Sequence, residues 1–482
     1  RKKTEMGSRK DVEAGNGDLN APLIGDHDEV KQEQQALQPR NNGGLWVLLL
    51  STLVAVCGSF EQGSCNGYSA SAEFEILEEL KLSRSQYSFF GSVLTVGGMI
   101  GAIASGSIAD LVGRKGALRI AAFCCIGGWL SIYISMGSVL LNVGRLITGF
   151  AIGVISFVVP VFIAEISPKE LRGALSTANQ VFICLGMTVG YVLGAFLPWR
   201  RLALTGIVPG LVLQAGLYFI PESPRWLAKV GREKEFQTAL RQLRGTHADI
   251  SAEMAELSEF VAIQQLLPKV TVRDLVEKKS MRALTIGAGL MIFQQFSGYN
   301  GIVYFSGEIF VLAGIPPNVG NILYGSLQIV MTVFGAALID RAGRKPLLLI
   351  SVYGTFLGSL LTGMAFLVKT HLVASQMVPM LAISGIMVFM ACYSIGFGSI
   401  PWIVMSEVLP LNTQRIGGSM VALVNWSGAW VVSYSFSFLM EWSPHGTFFI
   451  CAAVCVVAIV FIIQIVPETK GRTLQEIQDS MD

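Results

Sequence analysis

Charge is scarce in this chain. Of its 482 residues, 14 % are Asp, Glu, Lys or Arg and 52 % are hydrophobic, with a mean hydropathy of +0.57. That is more apolar surface than a soluble domain can bury, so the expected solvent is a bilayer. Histidine is nearly missing as well. His27, His247, His371 and His445 are scattered and fit neither a zinc site nor a catalytic triad. The eight cysteines all lie in apolar runs, without metal or disulfide spacing, and read as small hydrophobes. No apolar run occurs in the first 40 residues, which are rich in Glu, Gln, Asn and Gly. A cleavable signal peptide is therefore not expected, and the segment reads as a disordered tail. A membrane-embedded enzyme would need a nucleophile, a metal cluster or paired acids at depth, and none is visible. No cofactor and no nucleic-acid partner are expected.

Long apolar runs are what the chain does have. They lie near residues 45–68, 87–108, 117–136, 139–163, 176–197, 202–220, 282–310, 318–339, 346–367, 377–405, 416–440 and 446–466. A membrane helix needs about 20 apolar residues, and a helix satisfies its own backbone in lipid. The expectation is an all-α polytopic membrane protein with 12 transmembrane helices in two six-helix bundles. Five of the 35 basic residues, Lys81, Arg84, Arg200, Arg201 and Lys369, fall in turns of one face, and Arg145 lies inside a run. The rest fall in tails and turns of the other face, which the positive-inside rule makes cytoplasmic together with both termini. The divisions are a tail (1–44), an N-terminal bundle (45–220), a cytoplasmic linker with short amphipathic helices (221–281), a C-terminal bundle (282–466) and a second tail (467–482).

The two bundles echo each other. "SIADLVGRK" at 107–115 returns as "LIDRAGRK" at 338–345; "PESPR" at 221–225 returns as "PETKGR" at 467–472. In the fourth and tenth runs, "PVFIAEISPKELRG" corresponds to "PWIVMSEVLPLNTQRIG". Three echoes in one order indicate a duplicated six-helix unit, the architecture of an alternating-access transporter with its site between the halves. The echoes also place acids and bases together at the cytoplasmic helix ends: Asp110, Arg114, Glu165, Arg172, Glu222 and Arg225, with counterparts Asp340, Arg344, Glu407, Arg415, Glu468 and Arg472. Paired across the halves, they would form a cytoplasmic gate built from weak exposed pairs, each worth about 0 to 1 kcal/mol.

The motifs "GSIADLVGRK", "GRLITG", "PESPRWL", "QQFSGYNGIVYFS", "IDRAGRK" and "PETKGRTL" resemble the sugar porter family of the major facilitator superfamily. "EISPKELRGAL" and "VGYVLGAFLPWRRLAL" look most like the plant early-response-to-dehydration-like monosaccharide transporters. The resemblance implies a glucose-like hexose as substrate, with a polyol or inositol carrier as an alternative and a nutrient receptor on a transporter fold as a remote one. Function as a monomer is expected.

A hexose presents a ring of hydroxyls, so its site needs amides that both donate and accept. The seventh run supplies Gln294, Gln295 and Asn300, with Gly298 and Gly301 able to bend or unwind the helix there. Gln180, Gln328, Trp402 and Asn425 interrupt other apolar runs, at places where the resemblance puts sugar contacts.

Charges within a span are costly and usually functional. Glu61 lies about 16 residues along the first run, roughly 24 Å from the cytoplasmic end at 1.5 Å per residue. Arg145, in "GRLITG", lies at similar depth. The resemblance matches Arg145 to an arginine that partners an aspartate of the first span in proton-coupled members. Gly63 or Cys65 stands near that aspartate's place, and Glu61 could replace it from one turn earlier. The favoured expectation is a proton-coupled pair, Glu61 with Arg145; a structural contact in an uncoupled facilitator stays open. Gln62 and Asn66 add polarity in the same window. "LNAPLI", Leu19 to Ile24, resembles a dileucine-type sorting signal and favours the vacuolar membrane over the plasma membrane.

Overall fold

The structure, a computed structural model, describes residues 42–168, 171–245, 248–266, 278–371, 377–409 and 414–470. Residues 1–41, with Leu19–Ile24, and 471–482, with Arg472, lie outside the described residues, as do the side chains of Asp340 and Arg415.

Among the described residues every regular element is a helix. The first half contains α1 (Asn42–Glu79), α2 (Arg84–Tyr133), α3 (Ser138–Ile166), α4 (Arg172–Gly194) and α5 (Trp199–Gly216). Three short helices follow: α6 (Pro224–Lys229), α7 (Glu233–Arg244) and α8 (Ser251–Leu266). The second half contains α9 (Lys278–Phe296), α10 (Tyr299–Tyr304), α11 (Ser306–Leu312), α12 (Pro317–Ala342), α13 (Arg344–His371), α14 (Met377–Cys392), a π-helical turn (Tyr393–Phe397), α15 (Ile400–Val408), α16 (Gln414–Trp442) and α17 (Pro444–Ile465). Nine helical stretches among the described residues are long and apolar enough to cross a membrane. One of them, α2, contains two spans, because Gly113 (φ 85, ψ 172) breaks it. With the shorter α5 and the interrupted α9–α11, the described residues supply the twelve spans of an all-α membrane protein in two bundles.

The repeated motif repeats as geometry. Gly343 (φ 91, ψ 164) adopts the same left-handed conformation as Gly113, one that an L side chain rarely tolerates. In each half the glutamate of the closing motif caps the helix that starts at the glycine. Glu222 accepts from Arg114 N (3.2 Å) and Lys115 N (3.1 Å); Glu468 accepts from Arg344 N (3.1 Å) and Lys345 N (3.0 Å). An acid at a helix N-terminus satisfies orphan N–H groups and meets the positive end of the dipole.

The charged rim departs from the expected clasp across the halves. Arg114 bonds Glu165 twice at 2.8 Å and lies 3.5 Å from Asp110. Arg344 lies 3.3 Å from Glu407. These pairs lie within one half, tying the turn between the second and third spans to the end of the fourth, and that between the eighth and ninth to the end of the tenth. Glu222 and Glu468 are turned to backbone N–H groups. The reason is positional: Gly113 and Gly343 bring the start of the next helix to within reach of each carboxylate.

The halves meet elsewhere. Trp426 of α16 packs on Gly98 of α2, the rings of Tyr191 and Tyr324 join α4 to α12, and Gly307 of α11 lies against the Ala70 carbonyl of α1. At the end opposite the charged rim, Arg84 bonds Glu308 at 3.1 Å and the Ser88 and Ser437 hydroxyls bond each other. The two bundles are thus shut at the Arg84–Glu308 end.

Candidate functional site

Gly298 (φ 95) ends the regular winding of α9 and starts α10, as its lack of a side chain permits. Gly301 is held by packing instead, because a Cβ there would stand 2.1 Å from the Phe436 ring. The interruption turns the amides of "QQFSGYN" inward. Asn300 Nδ2 donates to Gln295 Oε1 at 2.5 Å, and Gln295 Nε2 donates to Asn425 Oδ1 at 2.6 Å. Gln294 Nε2 donates to the carbonyls of Phe397 (2.7 Å) and Gly398 (3.0 Å), just beyond α14. Phe397 O is available because its helical donor would be Pro401, which has no N–H.

A small cleft of about 60 Å³ opens between α4, α10, α12 and the π-helical turn. Gln180, Gln328, Thr332 and Ser394 supply its polar wall, and Tyr299 stacks on Tyr393 at 4.1 Å. Gln328 Nε2 donates to Tyr299 OH at 3.1 Å, while its buried Oε1 has no partner among the described residues. A buried acceptor left open in a cleft is matched to a ligand O–H. The structure therefore gathers Gln295, Asn300 and Asn425 into one amide cluster, sets Gln294 against the Phe397 and Gly398 carbonyls, and puts Gln180 and Gln328 on the cleft. Trp402 is 37 % exposed and stands outside this lining.

Tyr299, Thr332, Tyr393 and Ser394 were not singled out by sequence. Tyr299 had a signal, lying between Gly298 and Asn300. Tyr393 and Ser394 had none, since only the π turn aims them at the cleft.

Glu61 and Arg145 are both buried, at 1 % and 0 % exposure, but are not ion-paired. Trp129 Nε1 donates to Glu61 Oε1 at 2.5 Å, the Cys125 thiol lies beside the carboxyl, and Glu61 Oε2 has no geometrically formed hydrogen bond among the described residues. Arg145 Nη2 donates to Cys65 O at 2.9 Å and to the Ser69 hydroxyl, one turn along α1 and beyond, with its guanidinium over Phe90 and Tyr68. The expected direct pair is thus a near-neighbour arrangement around Cys65, whose thiol lies 3.9 Å from Glu61. Gly63 leaves no room for an acid, because a Cβ there would stand 1.9 Å from the Ile183 carbonyl. Gln62 and Asn66 are half-buried on α1.

The family model "Sugar (and other) transporter" matches residues 46–480. The Arabidopsis thaliana protein "Sugar transporter ERD6-like 8" is 50 % identical over 99 % of this chain and all of its own length. "Sugar transporter ERD6-like 7" of the same plant is 53 % identical over 90 % of this chain and 94 % of its own. Among solved structures, the inward-open xylose transporter XylE from E. coli superposes with a TM-score of 0.75 at 24 % identity, over 90 % of this chain and 100 % of that one. XylE described as a proton:xylose symporter bound to 6-bromo-6-deoxy-D-glucose gives the same score and identity over 91 % and 100 %. A family match over nearly the whole length, on twelve spans whose interrupted seventh turns its amides inward, establishes the chain as a membrane sugar transporter, not an enzyme, of the sugar porter family of the major facilitator superfamily.

Proposed function

We propose that the protein carries a hexose such as glucose by alternating access, with the charged-motif rim and both termini on the cytoplasmic side. The observation that carries this is the chain of amides Asn300–Gln295–Asn425 beside a cleft whose Gln328 acceptor is open. Each amide can donate and accept, which is the chemistry of a sugar hydroxyl. The contacts between halves at the Arg84–Glu308 end make this conformation the one closed to the non-cytoplasmic side. The rim acids and bases act as gate residues by bracing each half as it rocks.

Transport is coupled to protons through Glu61, with Arg145 as its neighbour. The supporting observation is a fully buried carboxyl with one oxygen unpartnered, a state that protonation relieves. The decisive experiment reconstitutes the protein in liposomes and follows labelled glucose with and without a pH gradient. Gradient-driven accumulation that is lost in Glu61→Gln, with exchange retained, is expected. Uptake indifferent to pH in the parent would identify a facilitator, and selective uptake of inositol a polyol carrier. The "LNAPLI" segment favours the vacuolar membrane over the plasma membrane; relocation of a fluorescent fusion by Leu23→Ala with Ile24→Ala tests this.

A further inference from the structure

The wall of the cleft that carries Tyr393 and Ser394 is not an ordinary helix. Between α14 and α15 the chain makes a π-helical turn, Tyr393–Phe397, followed by Gly398 N donating to Tyr393 O at 2.9 Å, five residues back. A π turn accommodates one residue more than an α-helix, is rare, and persists only where something opposes collapse to i→i+4 bonding. Pro401 opposes it from one side by removing a donor.

Ser351 opposes it from the other. This residue lies on α13, is fully buried, and does not line the cleft. Its hydroxyl donates to Cys392 O at 2.6 Å and accepts from Phe397 N at 2.7 Å. Those two backbone groups are five residues apart, so one side chain from a neighbouring helix clamps both ends of the π closure. A side chain placed in the helical ladder is one of the few physical causes of such a break. The contact is tight, for a Cβ on Gly396 would come 2.9 Å from Ser351 Cβ. What the clamp holds in register is the site: Tyr393 on Tyr299, and the Phe397 and Gly398 carbonyls on Gln294.

We propose that Ser351 is a positioning residue for the sugar site, fixing the π turn so that Tyr393 and the carbonyls held by Gln294 face the substrate together. Without the hydroxyl the turn relaxes to α-helical bonding and the extra residue is expelled. Residues on one side of it then rotate by about 100° relative to the other, which one residue of α-helix amounts to. Tyr393 and the Gln294 acceptors can no longer face the cleft at once. The inference rests on the reading of the cleft as the sugar site.

The test measures equilibrium binding of labelled glucose to purified Ser351→Ala, Gln294→Ala and the double variant, with hydrogen exchange across 393–398 read in the absence of sugar. Each single change is expected to weaken binding about tenfold, and the double to be no more than about twofold weaker than either, because both act through one element. Exchange at 393–398 is expected to accelerate in Ser351→Ala. Multiplying losses in the double variant, or unchanged exchange, overturns the inference. Unchanged binding in Gln294→Ala with accelerated exchange in Ser351→Ala sinks the sugar-site reading and leaves the clamp standing. Should Ser351→Ala fail to fold, Ser351→Cys retains a weaker donor and acceptor and is expected to fall between parent and Gln294→Ala; parent-like binding and exchange in it count against the clamp.

Discussion

Arg84, at the start of α2, bonds Glu308 of α11 at 3.1 Å, and so joins the two halves at the end opposite the charged motifs. Glu73 of α1 lines a cavity with both of them, nearly buried, with one carboxylate oxygen unpartnered among the described residues. The arginine thus has one acid across the interface and a second on its own half.

Removing the acid across the interface should loosen the closed end. Glu308→Gln is expected to raise labelling of a cysteine placed at Ser437 by a membrane-impermeant thiol reagent, severalfold at low salt and less at high salt, because the guanidinium of the pair is exposed and dissolved ions screen it. Labelling equal to the Ser437→Cys parent would show that apolar packing alone keeps this end shut.

On the proposed reading the amide chain sets the affinity. Gln295→Ala is expected to leave a sugar hydroxyl without its partner, a loss of about 1–3 kcal/mol in binding. Glucose binding, read by scintillation proximity on purified protein, should weaken by about 10- to 100-fold while the melting temperature holds within a few degrees. Binding unchanged by this substitution removes the amide cluster from the site.

The two glycines of the repeated motif should be unequal. Gly113→Ala forces a Cβ to within 2.5 Å of Glu222 Oε2, whereas Gly343→Ala meets Glu468 at 3.0 Å. Both variants carry the strain of a left-handed non-glycine residue, about 1–3 kcal/mol. The former should melt at the lower temperature; the reverse order would mean that the carboxylates move aside freely.

The capping glutamates should respond to pH in opposite directions. Burial pushes Glu222 above the ordinary 4.5, against the backbone donors of Ser223, Lys115 and Arg114. At Glu468 burial also pushes upward, but N–H donation from Lys470, Arg344, Lys345 and Thr469 outweighs it, and the group lies below 4.5. A carboxyl lowered by folding stabilises above its unfolded value, and that contribution fades as pH falls through the folded one. A raised carboxyl favours the fold fully below 4.5 and loses that contribution as pH rises through its folded value. Thermal unfolding in detergent should therefore show the parent losing stability relative to Glu468→Gln below pH 4.5. Relative to Glu222→Gln the parent should gain as pH falls toward 4.5. Parallel slopes in the two comparisons would contradict the assignment.

Much of this was legible from residues alone. Apolar run length fixes the number of spans, since a bilayer of set thickness demands it, and the duplicated turns reveal the repeat. Gly298 announces the break in the seventh span, and the crowding of Gln294, Gln295 and Asn300 around it announces the amide cluster. The partners of the rim charges were not legible. Arg114 reaches Glu165 rather than the other half, and Glu222 reaches two N–H groups, because a left-handed glycine redirects the next helix to meet them. Glu61 misses Arg145 for a similar reason: rotation about α1 sets it against Trp129, while Cys65 and Ser69 present their oxygens to the guanidinium.

Sequence by itself determined a twelve-span, twofold-repeated carrier with amides in the seventh helix, because hydropathy and the glycine, proline and amide positions act locally along the chain. Only the tertiary structure decided which end is shut, which acid faces which base, and that a serine of the ninth span clamps a turn of the tenth. Those depend on helix rotation and on distances between segments far apart in the chain, and an ångström of either moves a hydrogen bond from one partner to another.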